Sequence, residues 1–391
     1  MENVRVSELS SETSNQMGST HAISQPPPAT GRIVSVDALR GFDMFWIIGG
    51  RAVVLSLIGL FVDPIPEWLR YQFRHPEWIG ISGWDLIMPL FLFIVGTSMP
   101  LAFARRIERG QSRKQLYLKI VRRTLILIVL GLIASGNLLD FDLSTLRVGS
   151  NTLEAIACGY LVAGIVLLNL SVAGQAITAG VLLVAYWLLM VFVPVPGHGA
   201  GAMEPNANFA LVVDDFIFGG FSDEEAYTGI LTVLGYSATV LMGVLSGHLL
   251  RSGLRPVGKI AVLVLAGLGC LLGGWVWHAH LGFPIIKHIW TSSYALWAAG
   301  WSFLLLAVFY TVIDVAGFRR WSFPFVVIGM NAITVYMAVH LISFKSIAHT
   351  LVGGLARQLG AFGGFLLPLA TFMLVWLILL HLYRHKIFLR I

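Results

Sequence analysis

His75 and Asp85 are the two residues whose types and spacing most directly suggest chemistry. An imidazole can move protons near neutral pH, and a carboxylate ten positions further along the chain can accept its hydrogen bond and orient it. Asp85 can equally be a helix-end carboxylate that bonds to backbone amides or water. The spacing alone therefore leaves a catalytic pair and a structural role open for these two residues.

Further ionisable residues lie within or beside long apolar segments, where a charge is costly and usually faces the interior of a helix bundle. Asp37 and Arg40 are three positions apart, so they share one face of a helix and can pair. The pair is either a structural anchor at the end of that helix or a phosphate-binding or gating element. The full set is Asp37, Arg40, Asp43, Asp85, Glu154 and Lys345.

The histidines and cysteines do not have the spacing of metal ligands. His278 and His280 are two apart, so they point to different faces of a helix. Cys158 and Cys270 lie singly in apolar runs. We predict no metal site, and glycine-rich nucleotide-binding loops and the nucleophile motif of serine hydrolases are missing from any fitting context.

The composition is that of an integral membrane protein. Of 391 residues, 57% are hydrophobic and 12% are charged, whereas soluble domains carry about 25% charged residues. The formal net charge is +6, but the basic residues lie in short clusters between apolar runs. That pattern is typical of loops that face anionic membrane lipids, and it argues against binding to nucleic acid.

Ten apolar segments have roughly the 20 residues that a helix needs to cross a bilayer. They predict an all-α fold, a polytopic integral membrane helical bundle with about ten transmembrane helices in a domain over residues 32–391. The first is the least regular, since Arg40, Asp43 and Arg51 lie within or beside it. The segments are 39–61, 82–104, 118–138, 151–170, 174–194, 228–250, 259–279, 290–313, 322–345 and 362–383.

Charge asymmetry gives the orientation. Basic clusters follow the second, sixth, eighth and tenth predicted spans, whereas the loop at 195–227 has no Lys or Arg. The positive-inside rule therefore places both termini in the cytoplasm and His75 on the outer side. Residues 1–31 are rich in Ser, Thr, Gln and Pro, and they predict a disordered cytoplasmic N-terminus.

Four sequence motifs, in the same order, resemble those of the heparan-α-glucosaminide N-acetyltransferase family and particularly its bacterial relatives. The first is RIVSVDALRGF at 32–42, and the second is HPEWIG at 75–80 followed by WDLIMPLFLFIVG at 84–96. The late motifs are WTSSY at 290–294 and GMNA at 329–332. Together they extend over residues 32 to about 345, which is most of the predicted membrane domain.

The resemblance implies transfer of an acetyl group from cytoplasmic acetyl-CoA to an amino sugar on the opposite side of the membrane. It implies that His75, the histidine of the second motif, is catalytic, and that Asp85 orients it. Asn331 is then a donor to the acetyl carbonyl, or else it makes a hydrogen bond between packed helices. The cations among the predicted donor-binding residues either face the CoA phosphates or serve only to orient the chain in the membrane. The predicted residues are Asp37, Arg40, Arg113, Lys114, Arg122 and Asn331.

Two positions depart from the family pattern. Glu154 and Ala155 stand where the family has Gln and Arg, and Arg51 stands where some members have a polar amide late in the first core helix. These differences leave acyl transfer in place and the identity of the acceptor open.

The favoured hypothesis is a transmembrane acyltransferase in a bacterial inner membrane, with lipids, acetyl-CoA and a saccharide acceptor as partners and a possible homodimer. The alternative is a transporter of a small polar metabolite, although the repeated halves common in transporters are not evident in the sequence. A third hypothesis is a non-catalytic membrane partner of glycan assembly, which needs no polar residue at His75.

Overall fold

A computed structural model of the protein describes residues 33–149, 151–221 and 229–388. The predicted disordered segment 1–31 lies outside these residues. So do the acidic positions 223–225 of the long loop predicted to face outward and the last basic residue, Arg390.

The described chain is almost entirely helical, with two small β-hairpins. The hairpins pair β1 (Pro194–Val195) with β2 (Gly199–Ala200) and β3 (Met203–Glu204) with β4 (Ala207–Asn208). The helices are α1 (Val34–Phe45), α2 (Arg51–Gly59), α3 (Glu67–Tyr71), α4 (Ile87–Glu108), α5 (Arg113–Ala134), α6 (Thr152–Asn169), α7 (Val172–Phe192), α8 (Phe209–Phe218), α9 (Val233–Arg251), α10 (Pro256–His280), α11 (Ser292–Phe309), α12 (Phe323–Gly329), α13 (Ala332–Leu341), α14 (Phe344–Gln358) and α15 (Ala361–Arg384).

The predicted all-α membrane bundle is confirmed. Among the described residues, eight helices are long and apolar enough to cross a membrane, and a bent pair, Arg320–Gly329 with Ala332–Leu341, raises the number to nine. Helix α5 has 22 residues, about 33 Å at 1.5 Å per residue, and is therefore long enough to cross a membrane. It is not among the eight because it carries Lys119, Arg122 and Arg123 and is less apolar than they are. The prediction was about ten spans.

The segment 322–345, predicted as one spanning helix, is broken into two helices. The chain bends by 64° between α12 and α13, where Asn331 leaves the helical region with φ −126° and ψ 36°. Lys345, predicted to lie within that span, is an exposed residue in the first turn of α14. A lysine there can remain hydrated, which removes the cost of placing it in the bilayer.

Two predicted connectors contain regular structure. The loop at 195–227 holds β2, β3, β4 and α8, and its first hairpin turns at Gly197 with φ +79°. The glycine-rich connector at 346–361 is mostly α14. A Cβ on Gly363 would lie 1.8 Å from the Ala356 carbonyl oxygen, so this glycine allows α15 to fold closely against α14.

The basic connectors meet at one end of the bundle, which we call the basic end. Arg251, at the end of α9, forms an ion pair of 3.2 Å with Glu108, at the end of α4. Arg113, in the first turn of α5, donates a hydrogen bond of 2.6 Å to the Leu168 carbonyl at the end of α6. The connectors after α4, α6 and α9 are therefore at the same end.

The start of α1 also lies at the basic end. Asp314, at the end of the π-helical turn that extends α11, accepts hydrogen bonds from the Val34 and Ser35 amides at 3.2 and 3.1 Å. Helix α4 runs from its start near Asp85 to Glu108 at the basic end, so the connector that carries His75 lies at the opposite end. We call that end the His75 end.

Helix α4 is held at the centre of the bundle by a close crossing with α9. A Cβ on Gly96 would lie 2.0 Å from the Val240 carbonyl oxygen, and one on Gly243 would lie 2.0 Å from the Phe93 carbonyl oxygen. Both glycines therefore allow backbones to touch, as small residues do between membrane helices. This crossing fixes the helix on which Asp85 is placed.

Replacing Gly96 by Ala is expected to lower the free energy of unfolding by about 1–3 kcal/mol, because the α4 and α9 backbones must separate. Gly180 in α7 has no atom within 4 Å of an added Cβ, so Gly180→Ala is the matched control and is expected to be neutral or stabilising. Thermal unfolding of purified protein in detergent measures both. Equal stability of the two variants would contradict the close crossing.

Candidate active site

His75 lies in the connector between α2 and α4, and this connector is tied to two other segments at the His75 end. The Gly80 amide donates to the Ile285 carbonyl at 2.9 Å, and Ile79 and Ile286 form an antiparallel β-bridge. The Trp78 indole Nε1 donates to the Met203 carbonyl at 2.7 Å. These contacts fix the backbone that follows the histidine.

Asp85 lies in the short 3-10 turn Gly83–Leu86 that leads into α4. Its Oδ2 accepts hydrogen bonds from the Ser82 amide at 3.0 Å and the Ser82 hydroxyl at 3.2 Å. The Tyr294 hydroxyl donates to the Asp85 backbone carbonyl at 2.7 Å. The local sequence thus forms a capping box at the helix start and buries the carboxylate completely.

The two residues predicted as a pair are in contact. His75 Nδ1 and Asp85 Oδ1 are 2.5 Å apart, and the histidine side chain is 39% exposed whereas the aspartate is fully buried. Because Oδ2 already accepts from Ser82, Asp85 acts as an acceptor, which assigns the proton to Nδ1. His75 Nε2 is then left with its lone pair.

Lys287 completes the cluster, and the sequence analysis missed it. Its Nζ lies 3.1 Å from His75 Nδ1, 3.3 Å from His75 Nε2 and 3.4 Å from Asp85 Oδ1. Burial lowers the pKa of the Lys287 ammonium group, and the Asp85 carboxylate opposes part of that shift. The one signal in the sequence was its position just before the WTSSY motif.

The WTSSY motif builds the support for Lys287. Thr291 Oγ1 accepts hydrogen bonds from the Ile286 amide at 3.1 Å and from the Ser293 hydroxyl at 3.0 Å. Trp290 has a positive φ of 47°, and its Nε1 donates to Thr239 Oγ1 at 3.3 Å. The motif therefore holds the loop that brings the lysine to His75.

His288 is a second residue that the sequence analysis did not assign to the site. Its ring stacks on Trp78 with centroids 5.1 Å apart. Burial, followed by the charges of Lys287 and His75, lowers the pKa of His288 to about 4. His288 is therefore neutral at pH 7 and acts as a flat wall beside the cluster.

Arg51, one of the two departures from the family pattern, lies close to this cluster. Its guanidinium carbon is 4.8 Å from the centre of the Trp84 ring, and that ring is 6.5 Å from the His75 ring. Glu154, the other departure, is buried and accepts a hydrogen bond from the Gly149 amide at 2.7 Å.

The predicted Asp37–Arg40 pair is present, with Nη1 and Oδ1 3.2 Å apart. Arg40 Nη2 also donates to the Ser98 hydroxyl at 2.6 Å. Ser98 lies 13 residues beyond Asp85 on the same helix, which corresponds to about 20 Å at 1.5 Å per residue. The structure therefore places this pair well away from His75, towards the basic end.

The remaining predicted donor-binding residues are not gathered around His75. Arg113 caps α6, and Lys114 and Arg122 are exposed on α5. Asn331 is buried at the bend between α12 and α13, where its Nδ2 donates to the Ile387 carbonyl at 3.1 Å. This contact ties the bend to the segment that follows α15, and both roles predicted for Asn331 stay predictions.

Comparisons with known proteins agree with the motifs. The chain is similar to the heparan-alpha-glucosaminide N-acetyltransferases of Mus musculus and Homo sapiens. The identities are 28% over 68% of this chain and 49% of the mouse protein, and 27% over 79% of this chain and 54% of the human protein.

The family described as a domain of unknown function, DUF5009, matches residues 32–162. The resemblance predicted from the motifs is thereby confirmed. The chain spans about half the length of the curated relatives it matches.

His288 predicts a pH dependence of stability. Its pKa near 4 in the folded protein lies below the value of about 6.5 in an unfolded chain, so between these values the unfolded state binds more protons. Stability should therefore fall as the pH is lowered from 6.5 to 4. Thermal unfolding at pH 7 and pH 4.5 measures this, and His288→Phe should show a smaller fall because Phe can still stack. The control is His198→Phe at an exposed loop position, which should lose as much stability at low pH as the wild type. If His288→Phe also lost as much stability as the wild type, the low pKa of His288 would be contradicted.

Proposed function

We propose that the protein is a transmembrane acetyltransferase that moves an acetyl group from acetyl-CoA to an amino sugar or other glycan acceptor, with His75 as its catalytic residue. The similarity to two proteins named N-acetyltransferases supports acyl transfer. The apolar helices support an integral membrane location. We further propose a bacterial inner membrane with both termini in the cytoplasm, so that the His75 end faces outward.

The contact of His75 with buried Asp85, beside Lys287, supports this proposal most directly. A partly exposed imidazole held by a buried carboxylate is a common arrangement of a general base or nucleophile. The buried aspartate fixes the ring orientation, so that Nε2, which lies 3.3 Å from Lys287 Nζ, is the ring nitrogen that can accept a proton. Lys287 is close enough to compensate negative charge that develops next to the imidazole.

In the first route, His75 Nε2 removes a proton from the acceptor nitrogen or oxygen as that atom attacks the thioester carbonyl. The tetrahedral intermediate then collapses, the carbon–sulfur bond breaks, and CoA leaves as a thiolate that takes up the proton. Asp85 stabilises the imidazolium that forms in between, and Lys287 compensates the oxyanion.

In the second route, Nε2 itself attacks the thioester carbonyl and expels CoA, so that an acetyl-imidazole forms before the acceptor arrives. The acceptor then attacks this intermediate and regenerates the histidine. The two routes differ in a measurable way, because only the second releases one equivalent of CoA per protein when no acceptor is present.

In this proposal, the bound acetyl-CoA must reach from the basic end of the bundle to the His75 end. CoA carries its phosphates at one end and its thioester at the other. We place the phosphates near the cations of the basic end, with Arg40, Arg113, Lys114 and Arg122 as the candidate contacts and Asp37 as the partner that orients Arg40. From Arg40 the thioester arm must then extend about 20 Å along α4 to reach His75. A role for Asn331 as a donor to the acetyl carbonyl stays a prediction.

Replacing His75 by Ala is expected to reduce acetyl transfer at least about a hundredfold, the usual loss when a general base is removed. The assay is transfer of labelled acetyl from acetyl-CoA to a panel of amino sugars, with purified protein in detergent. His198→Ala, which removes an exposed histidine from the β1–β2 hairpin, is the matched control and should transfer at the wild-type rate.

Each outcome of that assay has a distinct meaning. Transfer that survives in His75→Ala would keep the enzyme and exclude His75 from its chemistry. No transfer by the wild type, together with no binding of CoA, would overturn the acetyltransferase proposal in favour of the transporter.

Replacing Lys287 by Met keeps the length of the side chain and removes its charge. We expect transfer to fall about a hundredfold, as it does when one oxyanion-stabilising donor is lost, and the protein to unfold at a lower temperature because buried Asp85 loses one of its partners. Lys345→Met, at an exposed position on α14, is the control for loss of a lysine. Wild-type transfer by Lys287→Met would show that the lysine has no part in the reaction.

A further inference from the structure

A cavity of about 250 Å³ lies next to the candidate active site. Its wall includes Phe42, Asp43 and Trp46 from the first span and Gln72 and Phe73 from the His75 connector. The turn that carries Asp85 contributes Gly83, Trp84 and Leu86 to the same wall. The cavity therefore lies directly against the turn that positions the buried carboxylate.

Asp43 is the unusual member of this wall. It is fully buried, and neither of its carboxyl oxygens has a hydrogen-bond partner among the described residues. A carboxyl group in apolar surroundings without a partner is costly, by several kcal/mol or more if it is charged. A buried carboxyl group of this kind is a candidate to bind a group that the resting structure does not contain.

The other buried carboxyl groups of the described chain are each bonded. Asp85 accepts from Ser82 and His75. Glu154 accepts from the Gly149 amide, and Asp214 accepts from the Gly229 and Ile230 amides. Each of these three groups has at least one bonded oxygen, although Glu154 Oε1 has no partner among the described residues. Asp43 differs because neither of its oxygens is bonded and it lines a cavity.

The other residues of the cavity wall indicate which kind of chemical group would bind to Asp43. Phe42, Trp46, Phe73 and Trp84 give the cavity aromatic surfaces, and aromatic faces attract cations. Asp43 is the one acidic residue among the described residues that line the cavity. A carboxyl group together with several aromatic side chains favours an organic ammonium ion over a neutral alcohol, which lacks the charge that both features attract.

We propose that this cavity binds the ammonium group of a small organic amine, with Asp43 as its counter-ion. The cavity shares Trp84 with the surroundings of His75, whose ring is 6.5 Å from the Trp84 ring. An amine bound here lies beside the residue that would remove its proton. That last step rests on the proposed acetyl transfer, whereas the binding does not.

The test compares two probes of nearly equal size, benzylammonium and benzyl alcohol, by titration calorimetry of the full-length protein in detergent with no acyl donor present. The wild type should bind the ammonium ion about tenfold more tightly than the alcohol, as expected for a desolvated cation–aromatic contact. In Asp43→Asn, which keeps the side-chain shape, this preference should disappear while binding of the alcohol remains.

Two further variants keep the test decisive. Glu77→Gln removes the same charge from an exposed position in the His75 connector and should keep the tenfold preference. If Asp43→Asn does not fold, Trp46→Leu removes one aromatic face while leaving the carboxyl group. This variant should weaken binding of the ammonium ion more than binding of the alcohol.

Equal affinity of the wild type for the two probes, or no binding of either, would overturn the proposal. So would a preference that persists in Asp43→Asn. Since no acetyl-CoA is present, these results are independent of the transfer assay. A preference without transfer would keep this site and reject the proposed function, and transfer without a preference would do the reverse.

Discussion

A single buried carboxylate, that of Asp85, determines how the His75 end is built. A charge removed from water must be compensated by well-placed partners, because an unpaired one costs several kcal/mol. Ser82 supplies two hydrogen bonds from the same turn, and His75 and Lys287 come from connectors that are 212 positions apart in the sequence. The need to satisfy this carboxylate thus holds the first and second halves of the membrane domain together at the point where the candidate chemistry lies.

The parts of this site that follow from local sequence could be predicted, and those that depend on distant contacts could not. His75 and Asp85 are close along the chain, so their contact followed from spacing and was supported by a motif. Lys287 meets them only because the WTSSY loop folds over the connector through a β-bridge between Ile79 and Ile286. No periodicity in a single sequence encodes such a contact.

The fold likewise has parts that could be predicted from local sequence and parts that could not. Length and hydropathy predicted nearly every membrane helix, because a bilayer imposes the same requirement on each of them. They failed where a helix is interrupted for a local reason, as at Asn331, where the chain bends and the amide bonds to the Ile387 carbonyl. They also failed at α14, which is too polar to resemble a span.

The first span shows how local irregularity and function coincide. Three residues after Asp43 the helix widens into a π-helical turn, Trp46–Gly50, in which Gly49 has a φ of 128°. Such bulges occur frequently at functional sites, although they break the regular hydrogen-bond ladder. Here the bulge begins with Trp46, so one irregular segment follows the unpartnered carboxyl and supplies an aromatic wall of the cavity. A segment selected only to cross a membrane would need neither the acid nor the bulge, and their adjacency favours a ligand as the reason for both.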